Sequence, residues 1–561
     1  MTSPNTIIQT RWASFYLSRE FFGGDLASSN DFQTQCRKFS RDKLIRACSV
    51  LNCVLKDLNS VLPNLNVHEA LLRILFSPQI ADELVQNSRS DTHARVFFHR
   101  RQLLNVIKEG IRSQTTEGLD PYESKNNEEF ARLLLMANDL LYRDDQESRL
   151  PDKILLNMVQ INEYSPSSLP NKIARTYYML NKFFNEAPKG PTFVDIPQIF
   201  EKATSIPIST YNHLNVGIFS KYLTYTFEDY QKKKDSFFLN PDWFRNAPVK
   251  PDIISRFFEE VSGNALRLQG ELQSRDFGID DLTALRKYPV FREEHQYLVD
   301  LFFIGDKLET GAFWSAHQSL GGKDRLKLHA FWGMLFESYV LWMLDHYSEP
   351  TLNQVSKNPK TKNGNIEISD TAIRCGESLV LIETKGSTFT AEAKYGSSPK
   401  KLLEEIHTKL VGGDDEKKGV TQLASSLKYV AFSNLSDIST IRRVYPVIIT
   451  RDDIGGSFYI NSLLNDEFQK VIPLDLNFEV ASLLCMSADI FESIVPFLKH
   501  VPMADILKAR IDSEPALKTS FRAISNTALA NAPASPNELI KEGSRAFLEE
   551  TVKELFPGES L

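Results

Sequence analysis

The sequence predicts a multidomain protein that is mostly α-helical and contains one α/β domain, in which a mixed sheet is flanked by helices. The chain has 561 residues, more than a single hydrophobic core usually organises. Apolar residues recur at helical spacing over residues 44–55 and 130–141. A run ending at residue 385 is instead short, apolar and β-branched, which is typical of a buried strand.

Loop-forming runs and changes in composition divide the chain into four predicted regions. The first two and the last are predicted to be helical, and the third contains the α/β domain. Their bounds are 1–150 (helical N-terminal domain), 151–285 (helical, aromatic-rich middle region), 286–475 (α/β domain) and 476–561 (C-terminal helical region). Within them we expect a strand over residues 296–304 and a helix over residues 478–486.

The composition indicates a folded, soluble protein. Apolar residues make up 42% of the chain and charged residues 24%, as in globular proteins. The five cysteines are odd in number and include no Cys-x-x-Cys, which argues against a zinc finger or a disulfide framework. We recognise no signal peptide and no apolar run of membrane-spanning length, so we expect a cytoplasmic protein without membrane contact.

The most informative stretch lies over residues 366–386. It predicts two strands joined by a tight turn at residues 375–377. Because side chains alternate along a strand, Glu383 and Lys385 share one face, and the turn brings Asp370 opposite residues 381–383. Two carboxylates and an ammonium then converge at one strand end. Carboxylates can hold Mg²⁺, and a lysine can stabilise charge on a phosphate or position an attacking water.

This arrangement resembles the core motif of the PD-(D/E)xK nuclease superfamily, the restriction-endonuclease-like proteins. The proline of the family name is Ser369 here, at a position that varies within the family. The resemblance implies that Mg²⁺ (or Mn²⁺) is held by Asp370, Glu383 and the Thr384 carbonyl. It also implies that Lys385 assists the attacking water and the charge of the transition state.

A segment before the hairpin fits the same resemblance, which covers roughly residues 325–455. Residues 326–345 lack proline and predict a long, mostly buried helix. On it, Glu337 has apolar neighbours, where an unpaired carboxylate is costly. The family commonly carries a Glu near the metal on this helix, so the resemblance gives Glu337 a metal-binding role. The alternative is a structural acid that pairs with a buried arginine or a helix terminus.

Two segments after the hairpin also fit. A helix is predicted to begin after Gly419 and carries Gln422; many members of the family place a Gln there, where it orients water or substrate. The alternative for Gln422 is an ordinary surface amide. Residues 443–450 then predict a buried strand, as expected for the next core strand of an α/β sandwich.

The resemblance implies a metal-dependent nuclease, with DNA as the expected partner and endonucleolytic cleavage as the expected reaction. By association it also implies bacterial defence against phage or foreign DNA. One alternative is a non-cleaving, nuclease-like scaffold that binds nucleic acid or protein. Another is a helical interaction protein in which the pattern over residues 370–385 is coincidental. In the nuclease interpretation, the helical regions would choose the target or a protein partner.

The charge of the chain limits how it would bind nucleic acid. The net charge is −7, which is not typical of a protein coated with basic residues for that purpose. Contacts to phosphate would therefore come from a local basic cleft. Lys394, Lys400 and Lys401, in the segment that follows the hairpin, are candidates for such contacts; the alternative for each is an ordinary solvated loop.

Overall fold

The computed structural model is mostly helical and also contains mixed sheets, which confirms that part of the predicted fold class. The boundary predicted at residue 150 lies outside the described residues. The structure describes residues 14–56, 65–90, 95–113, 115–147, 169–232, 234–274, 278–279, 281–395, 399–413, 418–435, 438–452, 454, 458–512 and 536–556.

Helices form most of the chain before the main sheet. Several begin at side chains that cap the free N–H groups of the first turn, as the Ser28 and Asp31 capping box does. The helices are α1 (Arg19–Phe22), α2 (Ser29–Cys36), α3 (Arg41–Val54), α4 (Leu65–Leu75), α5 (Pro78–Ser90), α6 (Arg100–Arg112), α7 (Asn127–Glu147), α8 (Leu169–Tyr177), α9 (Phe184–Glu186), α10 (Ile196–Thr204), α11 (Ile208–Leu223), α12 (Phe227–Lys232), α13 (Pro251–Val261), α14 (Ala265–Ser274), α15 (Thr283–Lys287), α16 (Leu301–Asp306), α17 (Ala312–Ser319) and α18 (Gly322–Tyr347).

Two small sheets accompany these helices. One is a parallel pair of β1 (Ser14–Phe15) and β2 (Arg95–Val96). The other joins β3 (Ser262–Gly263), β4 (Val290–Arg292) and β5 (Gln296–Leu298). The strand predicted over residues 296–304 is therefore too long. The Asp300 carboxylate accepts the N–H groups of Phe302 and Phe303 and so starts helix α16.

A six-stranded mixed sheet lies in the C-terminal half. It contains β6 (Gln354–Lys357), β7 (Thr371–Cys375), β8 (Ser378–Lys385), β9 (Arg443–Thr450), β10 (Glu479–Val480) and β11 (Leu484–Ser487). The order is β10-β9-β8-β7-β6, and β11 also pairs with β9. The pairs β6–β7 and β7–β8 are antiparallel, whereas β9 is parallel to β8, β10 and β11.

Further helices cover and follow this sheet. They are α19 (Ala391–Tyr395), α20 (Pro399–Ile406), α21 (Gly419–Leu427), α22 (Phe458–Val471), α23 (Ala488–Ile494), α24 (Met503–Ile511) and α25 (Glu538–Leu555). Shorter turns of 3-10 or π-helix link several elements, among them Lys307–Gly311, His407–Val411 and Val430–Phe432. In the described ranges no helix combines the length and apolarity that crossing a bilayer requires.

The helix predicted over residues 478–486 is wrong, because this stretch contains β10 and β11. Its apolar run is buried on both faces. Leu484 and Met486 face one hydrophobic core, whereas Leu483 and Cys485 face another. A strand that is covered on both sides has the continuous apolar pattern of a buried helix. The sheet consequently extends past the region boundary predicted at residue 475.

The central strand β8 separates two hydrophobic cores. Val380 and Ile382 pack in the core that contains α18, and Leu379 and Leu381 pack in the core that contains α21. A separate core draws on residues between 16 and 312, from before and after the segment 148–168 that the structure does not describe, and on Leu555 of α25. By alternation, Glu383 continues the row that faces α21.

A close backbone contact places α18 at the end of β8. A Cβ atom added to Gly386 would lie 2.7 Å from the Cα of Gly333 in α18, a distance that real Cβ atoms do not reach. Gly386 directly follows the Glu-Thr-Lys sequence. Glu337 lies four residues after Gly333 and therefore on the same side of the helix. The contact thus directs Glu337 toward the end of β8.

A buried ionic cluster fixes α18 from its other side. The Arg175 guanidinium of α8 contacts Glu309 at 2.6 Å, Glu492 at 2.7 Å and the Asp489 carboxylate. The Tyr339 hydroxyl of α18 donates to the Glu492 carboxylate at 2.8 Å. Buried charges are costly unless they are paired and hydrogen-bonded. The cluster therefore restricts how α18 can rotate.

Gly386→Ala should destabilise the protein, because the added methyl group collides with the helix backbone and not with a movable side chain. We expect the free energy of unfolding to fall by roughly 1–3 kcal/mol in denaturant titration. Gly333→Ala is the matched control. A Cβ at Gly333 meets nothing within 4 Å, so it should be neutral, or stabilising by up to about 1 kcal/mol. Equal losses in both variants would contradict the packing described.

Candidate functional site

The hairpin that carries the predicted site has the predicted turn. Cys375 pairs with Ser378 across a two-residue connection, and Gly376 adopts a φ of 60°, which glycine tolerates best. The register pairs Thr371 with Ile382. Asp370, which immediately precedes β7, therefore lies beside Glu383 at the open end of the hairpin.

Asp370 is tied to the end of β8 by a hydrogen bond. The backbone N–H of Thr384 donates to Asp370 Oδ2 at 2.7 Å. Burial nevertheless raises the pKa of Asp370, and the Thr384 hydrogen bond and the Lys385 charge only partly oppose it. At the position of the family's proline, the buried Ser369 hydroxyl donates to the Thr371 carbonyl at 2.9 Å.

Glu383, Lys385 and Gln422 form a cluster of mutual contacts, which we call the Glu-Lys-Gln cluster. Lys385 Nζ lies 3.2 Å from Glu383 Oε2 and 3.3 Å from Gln422 Oε1. Gln422 Nε2 donates to Glu383 Oε1 at 2.7 Å. Gln422 reaches the site because α21 begins close to the sheet: a Cβ at Gly419 would lie 3.0 Å from Ile448 Cδ1 of β9, and 2.6 Å from the Leu410 carbonyl oxygen of the preceding π-helical turn. The Gln422 amide therefore contacts Lys385 and Glu383, whereas an ordinary surface amide would face solvent.

Glu337 completes a group of acids. Burial raises its pKa to about 7, with further increases from Asp370 and Glu367 and an opposing effect from Lys385. In the part of the chain that the structure describes, no arginine or helix terminus pairs with Glu337. If Glu337 is a structural acid, as the alternative holds, it therefore lacks the expected arginine or helix-terminus partner among those residues.

The electrostatics of the site favour a cation. Burial raises the pKa of Glu383 to about 8; Lys385 opposes the increase and Asp370 adds to it. Glu337 and Asp370 are shifted in the same direction. One lysine ammonium therefore faces three acids whose ionised forms are destabilised by burial and mutual repulsion. A divalent cation would reverse these shifts.

The sequence analysis named neither a further acid beside the site nor an arginine whose backbone contacts the end of β8. Glu367 has a raised pKa because of burial and the nearby Asp370, opposed by Lys360. Arg451 follows β9, and its backbone N–H donates to the Lys385 carbonyl at 3.0 Å. Its buried guanidinium lies 5.1 Å from the Trp332 ring centroid. For Arg451, the sequence signal was an arginine directly after a buried strand. Glu367 lies outside the motif, and the sequence gave no signal for it.

The loop lysines predicted to contact phosphate lie near acids of the same chain. Lys394 pairs with Asp452 at 2.9 Å, and Lys401 pairs with Glu392 at 2.8 Å. Lys400 is exposed and lies 3.8 Å from Glu404. Lys394 and Lys401 would have to exchange an existing ion pair for a phosphate, so they are weaker candidates than the sequence predicts.

The donor set fits a hard divalent cation. Asp370, Glu383 and Glu337 offer oxygen atoms, which Mg²⁺ and Mn²⁺ prefer. Within the described ranges no three His, Cys, Asp or Glu side chains already form a cluster able to hold a metal ion. Both Glu383 oxygens accept hydrogen bonds from Lys385 and Gln422. Metal binding would therefore require these carboxylates to rearrange.

No family model matches this chain, and no match was found among the curated proteins or the solved structures.

The metal-free protein should lose stability as the pH rises. Glu383 has a folded-state pKa of about 8 against an ordinary value of 4.5. The protonated folded state is therefore favoured below the ordinary value, and this advantage is lost as the pH rises through about 8. In thermal melts with chelator, we expect the melting temperature to fall between about pH 5 and about pH 8, and to fall less in Glu383→Gln.

Glu404→Gln is the matched control for this prediction, because Glu404 is exposed on α20. It should keep the pH dependence of the wild type. If Glu383→Gln and Glu404→Gln follow the wild-type curve equally, Glu383 is not a buried acid with a raised pKa, and the electrostatic description of the site is wrong.

Proposed function

We propose that this protein is a metal-dependent nuclease of PD-(D/E)xK type that hydrolyses phosphodiester bonds, with DNA as the substrate and endonucleolytic cleavage as the reaction. The observation that carries the proposal is the Glu-Lys-Gln cluster together with Asp370 at the adjacent strand end. Four residues from three separate segments of the chain meet at the end of one hairpin. The proposed setting, defence against phage or foreign DNA, depends on the family resemblance alone.

The proposed ligands of the cation are the carboxylates of Asp370, Glu383 and Glu337 and the backbone carbonyl of Thr384. When bound, Mg²⁺ or Mn²⁺ supplies Lewis acidity, which polarises the phosphate and acidifies water. The carboxylates supply the charge that holds it. Burial raises the pKa of all three acids. A bound cation would offset the electrostatic cost of ionising them.

Lys385 and Gln422 have complementary roles in this proposal. The Lys385 ammonium is a hydrogen-bond donor that can stabilise negative charge developing on the phosphate oxygens. The Gln422 amide, which contacts both Lys385 and Glu383, can hold the attacking water in place. The water oxygen forms a new bond to phosphorus as the bond to the leaving oxygen breaks. The proton lost by the water passes to solvent, and the leaving oxygen takes up a proton from solvent.

One observation favours the non-cleaving alternative. Both oxygens of Glu383 are already engaged by Lys385 and Gln422, as in a site whose acid is held for structural reasons. A nuclease-like scaffold would keep this arrangement in the presence of metal. Replacing Lys385 distinguishes the nuclease from the scaffold, because only the nuclease has a cleavage rate that the replacement can lower.

Lys385→Ala should leave metal binding nearly unchanged and lower the rate of DNA cleavage strongly, since the ammonium acts mainly on the charged transition state. We expect a decrease of about 10²–10³-fold in plasmid cleavage with Mg²⁺ or Mn²⁺. Lys385→Arg should not restore the full rate, because the guanidinium is larger and has a different shape.

Lys541→Ala, at an exposed position on α25, is the matched control and should cleave at close to the wild-type rate. Linear duplex, single-stranded DNA and RNA are tested beside the plasmid, so that a different substrate is not mistaken for inactivity. If the wild type cleaves none of them, or if Lys385→Ala cleaves as fast as the wild type, the nuclease proposal is refuted.

A further inference from the structure

The segment between β6 and β7 carries lysines that differ from those of the loop after the hairpin. Lys360 and Lys362 are exposed, as is Lys428 just after α21. In the described ranges, none of the three forms a direct ion pair with an acid, although Lys360 faces Glu367 across an isolated β-bridge and its charge lowers the pKa of that acid. Lys394 and Lys401, by contrast, are paired. The available positive charge therefore lies on the β6–β7 side of the site.

An exposed aromatic ring stands beside these lysines. Phe432 ends the short 3-10 turn Val430–Phe432 and is 64% exposed. Its carbonyl accepts the backbone N–H of Lys362 at 2.8 Å. Thr361 forms a β-bridge with Ser433. These backbone contacts fix the position of the ring relative to the lysines although the ring itself is open to solvent.

The same segment leads directly to the acids of the site. The Asn358 N–H donates to the Asp370 carbonyl at 3.0 Å, and the Thr361 N–H donates to the Ile366 carbonyl at 2.9 Å. These hydrogen bonds form a ladder that begins at Asp370 and ends beside Phe432. At a rise of about 3.3 Å per residue, Ile366 lies about 13 Å along the chain from Asp370. That distance corresponds to a few nucleotides.

We propose that Phe432, Lys360 and Lys362 form a contact surface for a single strand of nucleic acid whose phosphodiester reaches Asp370 and Glu383. The inference rests on the proposed function and assigns it a substrate class. Lysine ammonium groups contact phosphates without reading sequence, and an exposed ring stacks on the face of an unpaired base. Paired bases inside a duplex have both faces covered, so the ring favours a strand that is unpaired at this point.

The test is the binding of labelled short oligonucleotides, single-stranded and duplex, of DNA and of RNA, to the full-length protein in chelator. Phe432→Ala should weaken single-strand binding by about 5- to 100-fold and leave duplex binding nearly unchanged. Lys362→Ala should weaken it less and reduce the slope of log affinity against log salt by about 0.7. Cleavage of the same strands is measured separately with Mg²⁺.

Two controls are matched to these variants. Leu474 is 98% exposed and lies in the chain before β10, at the opposite edge of the sheet from β6, so Leu474→Ala removes an exposed apolar side chain elsewhere. Lys541→Ala removes an exposed lysine on α25. Both should bind single strands as the wild type does.

The outcomes distinguish a failure of the contact-surface proposal from a failure of the nuclease proposal. If the wild type cleaves but Phe432→Ala and Lys362→Ala bind single strands with wild-type affinity, the surface is refuted and the nuclease proposal stands. If single strands bind through Phe432 but are never cleaved, the surface stands and the nuclease proposal is refuted. Equal loss of duplex and single-strand binding in Phe432→Ala overturns the single-strand assignment, and absence of any binding by the wild type refutes the surface.

Discussion

The register of β8 between β7 and β9 is the constraint on which the candidate site depends. It places Asp370 beside Glu383 at the end of the hairpin and directs Glu383 and Lys385 toward α21, where Gln422 meets both. A shift of one residue would move these side chains to the other face of the sheet. The apolar residues on both faces of β8 oppose such a shift, because each row fits its own core.

The parts of this arrangement that depend on local sequence could be predicted. The turn at Gly376, the alternation along β8 and the long helix before the hairpin follow from chain geometry and apolar spacing. The proximity of Asp370 to Glu383 follows from the turn alone. Even the helix that carries Gln422 was predicted correctly, although its contacts with the site were implied only by the family resemblance.

What could not be predicted depends on residues that meet only in the folded chain. The pairing of Lys394 with Asp452 weakens a candidate phosphate contact that its place after the hairpin had suggested. The contact between Gly386 and Gly333 places Glu337, yet two glycines carry no signal of mutual approach. The stretch over residues 478–486 was misassigned because burial on both faces gives a strand the apolar pattern of a helix. Each error reflects long-range packing.

The most direct measurement of the central claim, that the buried acids bind a divalent cation, is calorimetric titration of Mg²⁺ in buffers with different heats of ionisation. Glu383 and Glu337 have pKa values raised to about 8 and about 7, so both are partly protonated near neutral pH, and a bound cation should displace their protons. We predict saturable binding with proton release, and a smaller release in Glu337→Gln. Absence of binding, or binding without proton release, would contradict the account.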